Sequence, residues 1–446
     1  MKTFYQKPRI CIALPGLHYL SHTTYVLNTK PLLPYLAEDF DVTLVFRKNL
    51  EIPEQDARYL TILDPTKFST KEANNTDPYF VPPDIFRAGK YLKVLDNFAK
   101  VHAQEFDLVI ERQWSLVGSF SSAFSRYGLP SIFIVEAEFY ANSNSCNPLK
   151  KALKLSLNKI LPYLRRRWIQ RANSIIVETE QMKSFLQEKG YHSSNKSVYS
   201  IPNGVDPNIF FPQDRHLCRK KLGIDQSSLM LTYVGSLRGF IQDLEPIIEA
   251  LGREKPKNVV LHLVGDGTNK EHLEALAEKF DAPVTCHGRL SQQEAARYIG
   301  AADICVAPYN KNLFPEEKFT CASLKVCEYL ACGRPVLTIP CERMAHLLDG
   351  GKYGFLVENK VENYRDFFRN LSDKPKIHQL EKSLISDLEN SVLRDKGIVL
   401  TWREVAQMYK QVILDNLPKK QFYKSTFWSP PITALFPSQT KKTMLY

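Results

Sequence analysis

The feature that most constrains this chain is a repeated alternation of short β-branched runs with stretches long enough for helices. In the first half the runs are Arg9 to Leu14, Asp41 to Phe46, Asp107 to Glu111, Ser131 to Val135 and Ser174 to Val177. In the second half they are Leu231 to Val234, Val259 to Val264, Val284 to Cys286, Ile304 to Ala307, Val336 to Ile339 and Phe355 to Val357. Nearly continuous apolar strands are covered on both faces, so this pattern predicts βαβ units and parallel sheets. Two series of such units predict an α/β chain with two doubly wound sheets, and 446 residues exceed what one core usually serves. Between the series, Ile201-Pro202-Asn203-Gly204-Val205-Asp206-Pro207 suits neither helix nor strand and marks the junction. The expected domains are therefore residues 1–203 and 204–398.

Thr401-Trp402-Arg403-Glu404 has the pattern of a capping box, and Trp402, Val405, Tyr409, Val412 and Ile413 share one helical face. A helix over 401–417 thus carries a stripe that needs a surface to dock on. Residues 421–446, rich in Pro, Ser, Thr and Lys, read as a flexible or draped tail.

Charge and composition narrow the setting. Lys and Arg number 59 against 48 Asp and Glu, a net charge of +11. No apolar run approaches the ~18 residues that cross a bilayer. The first such stretch, Ile10 to Leu14, stops at Pro15, so the expected location is the cytosol. Nine cysteines without a C-x-x-C pair indicate neither a disulfide framework nor a zinc knuckle. From Phe139 to Val177 there is no acid, while Lys150, Lys151, Lys154, Lys159, Arg165, Arg166, Arg167 and Arg171 are basic. Leu149, Leu153, Leu157, Ile160 and Leu164 share one helical face there, so 149–171 suits either an anionic membrane surface or a core-facing helix with a solvated basic side. A nucleic-acid role has no recognition motif or aromatic platform behind it.

Ligands of open parallel sheets sit beyond the carboxyl ends of the strands, where this chain repeatedly has glycine: Gly235, Gly265, Gly267 and Gly288. Each alone reads equally as a tight turn; their recurrence argues for a site. No G-x-G-x-x-G follows a strand and no G-x-x-x-x-G-K-[ST] occurs, which removes the dehydrogenase and P-loop classes. The most informative stretch runs from Cys321 to Val336 and reads as loop, short helix, glycine stop and strand. Ser323 is a candidate N-cap and Gly333 a candidate C′ residue, which puts Lys325 in the first turn, where the helix dipole disfavours a cation. A diphosphate on the free N–H groups would compensate it. Glu328 lies on the same face, and the ordinary alternative is a surface Lys325–Glu328 pair.

With these residues in view, the sequence resembles the family 4 glycosyltransferases. The resemblance rests on IPNGVDPNIFFP from Ile201, YVGSLRGF from Tyr233, LHLVGDG from Leu261, GRL from Gly288, ADICVAPY from Ala302, SLKVCEYLACGRPVL from Ser323 and TWREVAQMY from Thr401. It implies the GT-B fold: two Rossmann-like domains facing across a cleft, the second binding a nucleotide sugar and the late helix returning to the first. By motif, Glu328 matches the carboxylate that binds the ribose hydroxyls. Ser323, Leu324 and Lys325 match the loop and helix start that hold diphosphate and sugar, and Gly288 and Arg289 match the loop under the base. Arg238, after Gly235 and Ser236, matches the basic residue at the departing diphosphate. Gly16 would let the first loop approach the sugar phosphate. The implied reaction retains configuration at the sugar carbon and uses neither cofactor nor metal. It glycosylates a saccharide or lipid-linked saccharide, and where the basic segment 149–171 meets an anionic surface the expected place is the inner membrane face. A sugar-nucleotide epimerase or hydrolase of the same fold, or a nucleotide-sugar-binding protein without turnover, are the alternatives. Three features depart from the family pattern: Thr320 stands where a second Glu is common, Gly239-Phe240-Ile241-Gln242 lacks the Lys that often follows the Arg, and Glu136 and Glu138 stand near a common His.

Glu136 and Glu138 read as binders of acceptor hydroxyls or as an exposed strand end. His18 is a further acceptor-side candidate. Its i, i+4 spacing to His22 suits helical metal ligands, but the rest of a zinc motif is missing. Asp39-Phe40-Asp41 is a D-x-D string that reads as a solvated strand entrance.

Overall fold

The computed structural model describes residues 7–19, 24–49, 59–62, 85–114, 116–136, 148–191, 197–239, 241–314, 318–371 and 374–418. The tail over 421–446 lies outside the described residues. The chain divides into two compact units, Met1–Ile201 with Arg403–Tyr446, and Pro202–Trp402.

The first unit holds seven parallel strands: β1 Arg9–Tyr19, β2 Asp41–Asn49, β3 Leu60–Ile62, β4 Leu108–Arg112, β5 Ser131–Val135, β6 Ser174–Val177 and β7 Ser197–Ser200. Their order is β3-β2-β1-β4-β5-β6-β7. Every residue of β4, β5 and β6 is buried, which is why these runs are legible as apolar strings. The two strands that the apolar pattern misses, β3 and β7, are short and lie at the two edges. No residue of β7 is fully buried, so burial imposed no hydrophobic run on it.

The second unit holds β8 Leu229–Val234, β9 Val259–Val264, β10 Val284–Gly288, β11 Ile304–Ala307, β12 Val336–Thr338 and β13 Gly354–Leu356, all parallel. The order β10-β9-β8-β11-β12-β13 reverses direction at its first strand, so the switch point where such sheets bind ligands falls between the ends of β8 and β11.

The late helix Trp402–Asn416 buries its whole predicted stripe, Trp402, Val405, Tyr409, Val412 and Ile413. From Arg403 onward it belongs to the first unit, where Lys410 pairs with Glu38 at 2.8 Å and Asp39 at 2.6 Å, and Ser174 Oγ donates to Asn416 at 2.9 Å. The D-x-D string is accordingly a tie for this helix: Asp39 is salt-bridged and Phe40 is buried. In the second unit the N-G turn is pinned against the residues before the helix, since Val205 N–H donates to Leu400 at 2.8 Å and a side chain at Gly204 would meet the Trp402 nitrogen at 2.7 Å.

The basic segment forms the helix Pro148–Ile169, and of the expected apolar line Leu164 is half-buried while Ile160 is exposed. The side chains of Leu149, Leu153 and Leu157 lie outside the described residues. Ile160 is 39% exposed, whereas Leu161 and Ile169 are buried and Trp168 packs on the same core. Trp168 packs closely on the first unit, its Cβ lying 2.5 Å from where a Cβ on Gly118 would be. Among the described residues no helix is long and apolar enough to cross a membrane.

Candidate functional site

Three neighbouring strands of the second sheet end on interlocked turns. Gly235 N–H donates to Val264 at 2.9 Å, Gly265 N–H to Gly288 at 2.8 Å and Leu237 N–H to Asp266 at 3.0 Å. The turns touch so closely that a Cβ at Gly265 would lie 1.8 Å from the Gly235 carbonyl oxygen, which only glycine tolerates. Nothing lies within 4 Å of a Cβ built on Gly288, so the space beyond β10 is open.

Across the switch point stands the helix Leu324–Ala331. Tyr329 clips it to the end of β8: its hydroxyl accepts from Val234 N–H at 2.8 Å and donates to the Val234 carbonyl at 3.1 Å. Gly333 closes the helix at φ +70°, as the sequence predicts. Ser323 does not cap its start, contrary to expectation. It sits in the left-handed region at φ 59° and makes no capping bond, and its hydroxyl is instead hydrogen-bonded to that of Tyr309. Capping requires an extended N-cap backbone, so this conformation forbids it. The first N–H groups, on Leu324 and Lys325, are thus left without a side-chain acceptor from Ser323.

Lys325 reaches back to the β8 turn. Its Nζ donates to Tyr233 Oη at 2.9 Å, lies 4.2 Å from the centre of that ring and would be 2.9 Å from a Cβ on Gly235. Glu328 lies one turn further along the helix and is half-buried. It forms no salt bridge with Lys325, and its carboxylate has no hydrogen-bond partner among the described residues, so the surface-pair alternative does not hold. Burial pulls the Lys325 ammonium down to about 7 against the attraction of Glu328, and pushes the Glu328 carboxyl up to about 8 against that of Lys325. Lys325, an acid without a hydrogen-bond partner and uncapped N–H groups are thereby brought together, partly open to solvent, at a sheet's switch point, an arrangement suited to a ligand that is anionic at one end and rich in hydroxyls at the other.

Arg238 and Ser236 are exposed in the turn after β8, and the Arg238 backbone nitrogen would be 2.8 Å from a Cβ on Gly267. Arg289 is exposed beyond Gly288. The structure therefore brings Gly235, Ser236, Arg238, Gly288, Arg289, Ser323, Leu324, Lys325 and Glu328 to one edge of one sheet. Sequence reasoning missed Tyr233, Tyr309 and Tyr329; the tyrosine beside Glu328 was the available signal.

The first-unit candidates fare differently. Gly16 lies within β1, not in a loop after it, at an irregularity in the register between Leu14 and His18. A Cβ there would meet Trp114 Cε3 at 2.3 Å, so the glycine makes room for an indole. The His18 backbone is in the same strand, so helical spacing does not apply to it; its side chain, His22 and Glu138 lie outside the described residues. Glu136 is neither exposed nor available. Arg112, 1% exposed, donates to it from Nε at 2.9 Å and from Nη2, and also reaches Glu178 at 3.3 Å. Asn28 donates to Glu178 at 3.3 Å. The neighbouring Glu111 accepts from Trp114 Nε1, Gly118 N and Ser121 N, each at 2.8 Å, so it anchors the start of the helix Ser119–Ser125. Among the described residues no group of three or more His, Cys, Asp or Glu is placed to hold a metal ion.

Residues 228–373 match the family model described as glycosyl transferases group 1. A D-inositol 3-phosphate glycosyltransferase of Corynebacterium jeikeium is 29% identical over 205 residues, which cover 43% of this chain and 46% of that protein. An N-acetyl-alpha-D-glucosaminyl L-malate synthase of Bacillus anthracis is 21% identical over 165 residues, 37% of this chain and 41% of the relative. These matches span less than half of each relative's length. Among solved structures, a sucrose-phosphate synthase from Thermosynechococcus elongatus aligns with a TM-score of 0.66 at 17% identity, over 92% of this chain and 100% of that one. HepE of Anabaena in complex with UDP and glucose aligns with a TM-score of 0.64 at 14% identity, over 91% and 99%. At these identities the likeness is one of fold, and the fold is GT-B.

Proposed function

We propose that this chain is a glycosyltransferase that moves a sugar from a nucleoside-diphosphate sugar to a saccharide or lipid-linked saccharide acceptor. The observation that carries this reading is the pair of unmatched charges on the helix Leu324–Ala331, Lys325 in its uncapped first turn and Glu328 one turn on. Glu328 would accept from the two vicinal hydroxyls of the ribose, while Lys325, Arg238 and the first N–H groups face the diphosphate. As the bond from the sugar carbon to the phosphate oxygen breaks, these groups stabilise the charge that develops, each on the scale of about 3 kcal/mol. The acceptor oxygen forms the new bond on the same face, and its proton passes to the departing phosphate, so configuration is retained and no metal is required. The HepE complex with UDP and glucose makes UDP the first nucleotide to try.

The acceptor side belongs to the first unit, and its contact with the anionic inner face of a membrane is part of the proposal. Lys159, Ile160, Tyr163, Arg166 and Arg167 are exposed on the basic helix, a mixture that suits a charged interface.

Calorimetry with UDP, GDP and ADP identifies the nucleotide, and Glu328→Gln tests the site. Losing one carboxylate that accepts two hydroxyls should weaken the nucleoside diphosphate roughly tenfold or more. Unchanged affinity in that variant contradicts the assignment. Product mass after incubation with donor and acceptor separates transfer from hydrolysis, epimerisation or binding alone.

A further inference from the structure

The Lys325 ammonium has a built-in seat. Its Nζ donates to Tyr233 Oη at 2.9 Å, and Tyr233 in turn donates to the Ser236 carbonyl at 2.8 Å. Because the one phenolic proton is committed to Ser236, the oxygen offers Lys325 only a lone pair, to which an ammonium donates a stronger, charge-assisted bond than a neutral amine does. The ring of Tyr233 lies 4.2 Å from Nζ and that of Tyr309 5.7 Å from it, so two aromatic faces add cation attraction. Gly235 has no side chain to obstruct this approach.

We infer that Tyr233 is a positioning residue for the diphosphate site: through its hydroxyl it holds Lys325, charged, against the turn after β8. This rests on the donor-site reading above and adds the residue that keeps its cation in place. Among the described residues, the titratable groups facing Lys325 are Tyr233 from β8, Tyr309 from the segment after β11 and Glu328 from its own helix. Burial holds both tyrosine hydroxyls well above their ordinary range, so neither ionises near neutrality and the hydrogen-bond sense is fixed. With burial already drawing Lys325 down, the lone pair from Tyr233 opposes its neutralisation.

The test compares nucleoside diphosphate with the matching monophosphate, using UDP and UMP, GDP and GMP, and ADP and AMP, on the full chain. In the wild type the diphosphate binds more tightly, and Lys325→Ala removes that preference. Tyr233→Phe, which deletes one oxygen, should cut the preference roughly three- to tenfold and leave monophosphate affinity unchanged. The preference falls as pH rises through the free-state value of Lys325, and in Tyr233→Phe that fall should begin at lower pH. In a Lys325→Ala background, Tyr233→Phe should do nothing more, as for two residues acting through one contact. Equal weakening of mono- and diphosphate, an unshifted pH profile, or the same loss in the Lys325→Ala background overturns the inference while leaving the donor site intact. A diphosphate preference that survives Lys325→Ala overturns the donor-site reading and the inference with it.

Discussion

Removing the Arg112 guanidinium tests how the carboxyl edge of the first sheet is held. One buried cation serves Glu136 and Glu178, which come from the ends of two successive neighbouring strands, so the three groups carry one net negative charge when both acids are ionised. Arg112→Met nearly preserves volume but strands two carboxylates with no cation between them. Breaking a buried pair by deleting one partner costs about 3–5 kcal/mol, and two stranded acids place this variant at the upper end. Glu136→Gln keeps an oxygen for Arg112 to bond and leaves a neutral Arg112–Glu178 pair, so its cost is that of weakening a charged hydrogen bond, about 1.5–3 kcal/mol. The two variants also differ in pH dependence. Burial raises the Glu136 carboxyl and Arg112 opposes the rise, so without Arg112 the folded-state value climbs further above the unfolded one. A carboxyl raised in this way destabilises the fold at high pH, and the penalty shrinks as pH falls through the folded value. Urea unfolding followed by tryptophan fluorescence, to which Trp114 and Trp168 of the first unit contribute, measures both effects. Arg112→Met should recover part of its loss as the pH is lowered from neutrality, whereas Glu136→Gln should not. Equal losses in the two variants, or no recovery on acidification, refute the charge argument.

Two further outcomes follow from the first unit. Gly16→Ala places a methyl 2.3 Å from Trp114 Cε3, and the indole cannot swing freely because its Nε1 is bonded to Glu111 at 2.8 Å. The expected cost is about 1–3 kcal/mol, read as a lower urea midpoint, and an unchanged midpoint shows that the contact is not tight. For the basic helix, vesicles containing phosphatidylglycerol should sediment the protein in low salt and release it as salt rises. Replacing Arg166 and Arg167 with Ala should weaken this by about 2 kcal/mol, roughly thirtyfold, and equal capture by phosphatidylcholine vesicles rules out the electrostatic account.

What could be read from the sequence, and what could not, divides along a physical line. Strands buried on both faces had to be apolar strings, so β4, β5 and β6 were visible; β7 escaped because none of its residues is fully buried. The helix Leu324–Ala331 was visible because its glycine stop is a local signal. Glu136 was misread because its partner is 24 residues away and becomes a neighbour only through the pairing of β4 with β5. The tyrosines around Lys325 were invisible for the same reason: sheet order, not chain order, sets β8 beside β11. The clearest failure of local reasoning is also the most informative. Helices ordinarily begin on a capping side chain, yet Ser323 turns its hydroxyl to Tyr309 in a left-handed conformation worth about 1 kcal/mol or more of strain. At that same helix start lies a cation the dipole disfavours, and one turn on an acid without a partner. Three local rules broken within six residues cost stability together, and such a concentration is intelligible where the missing partner is a ligand carrying phosphate at one end and hydroxyls at the other.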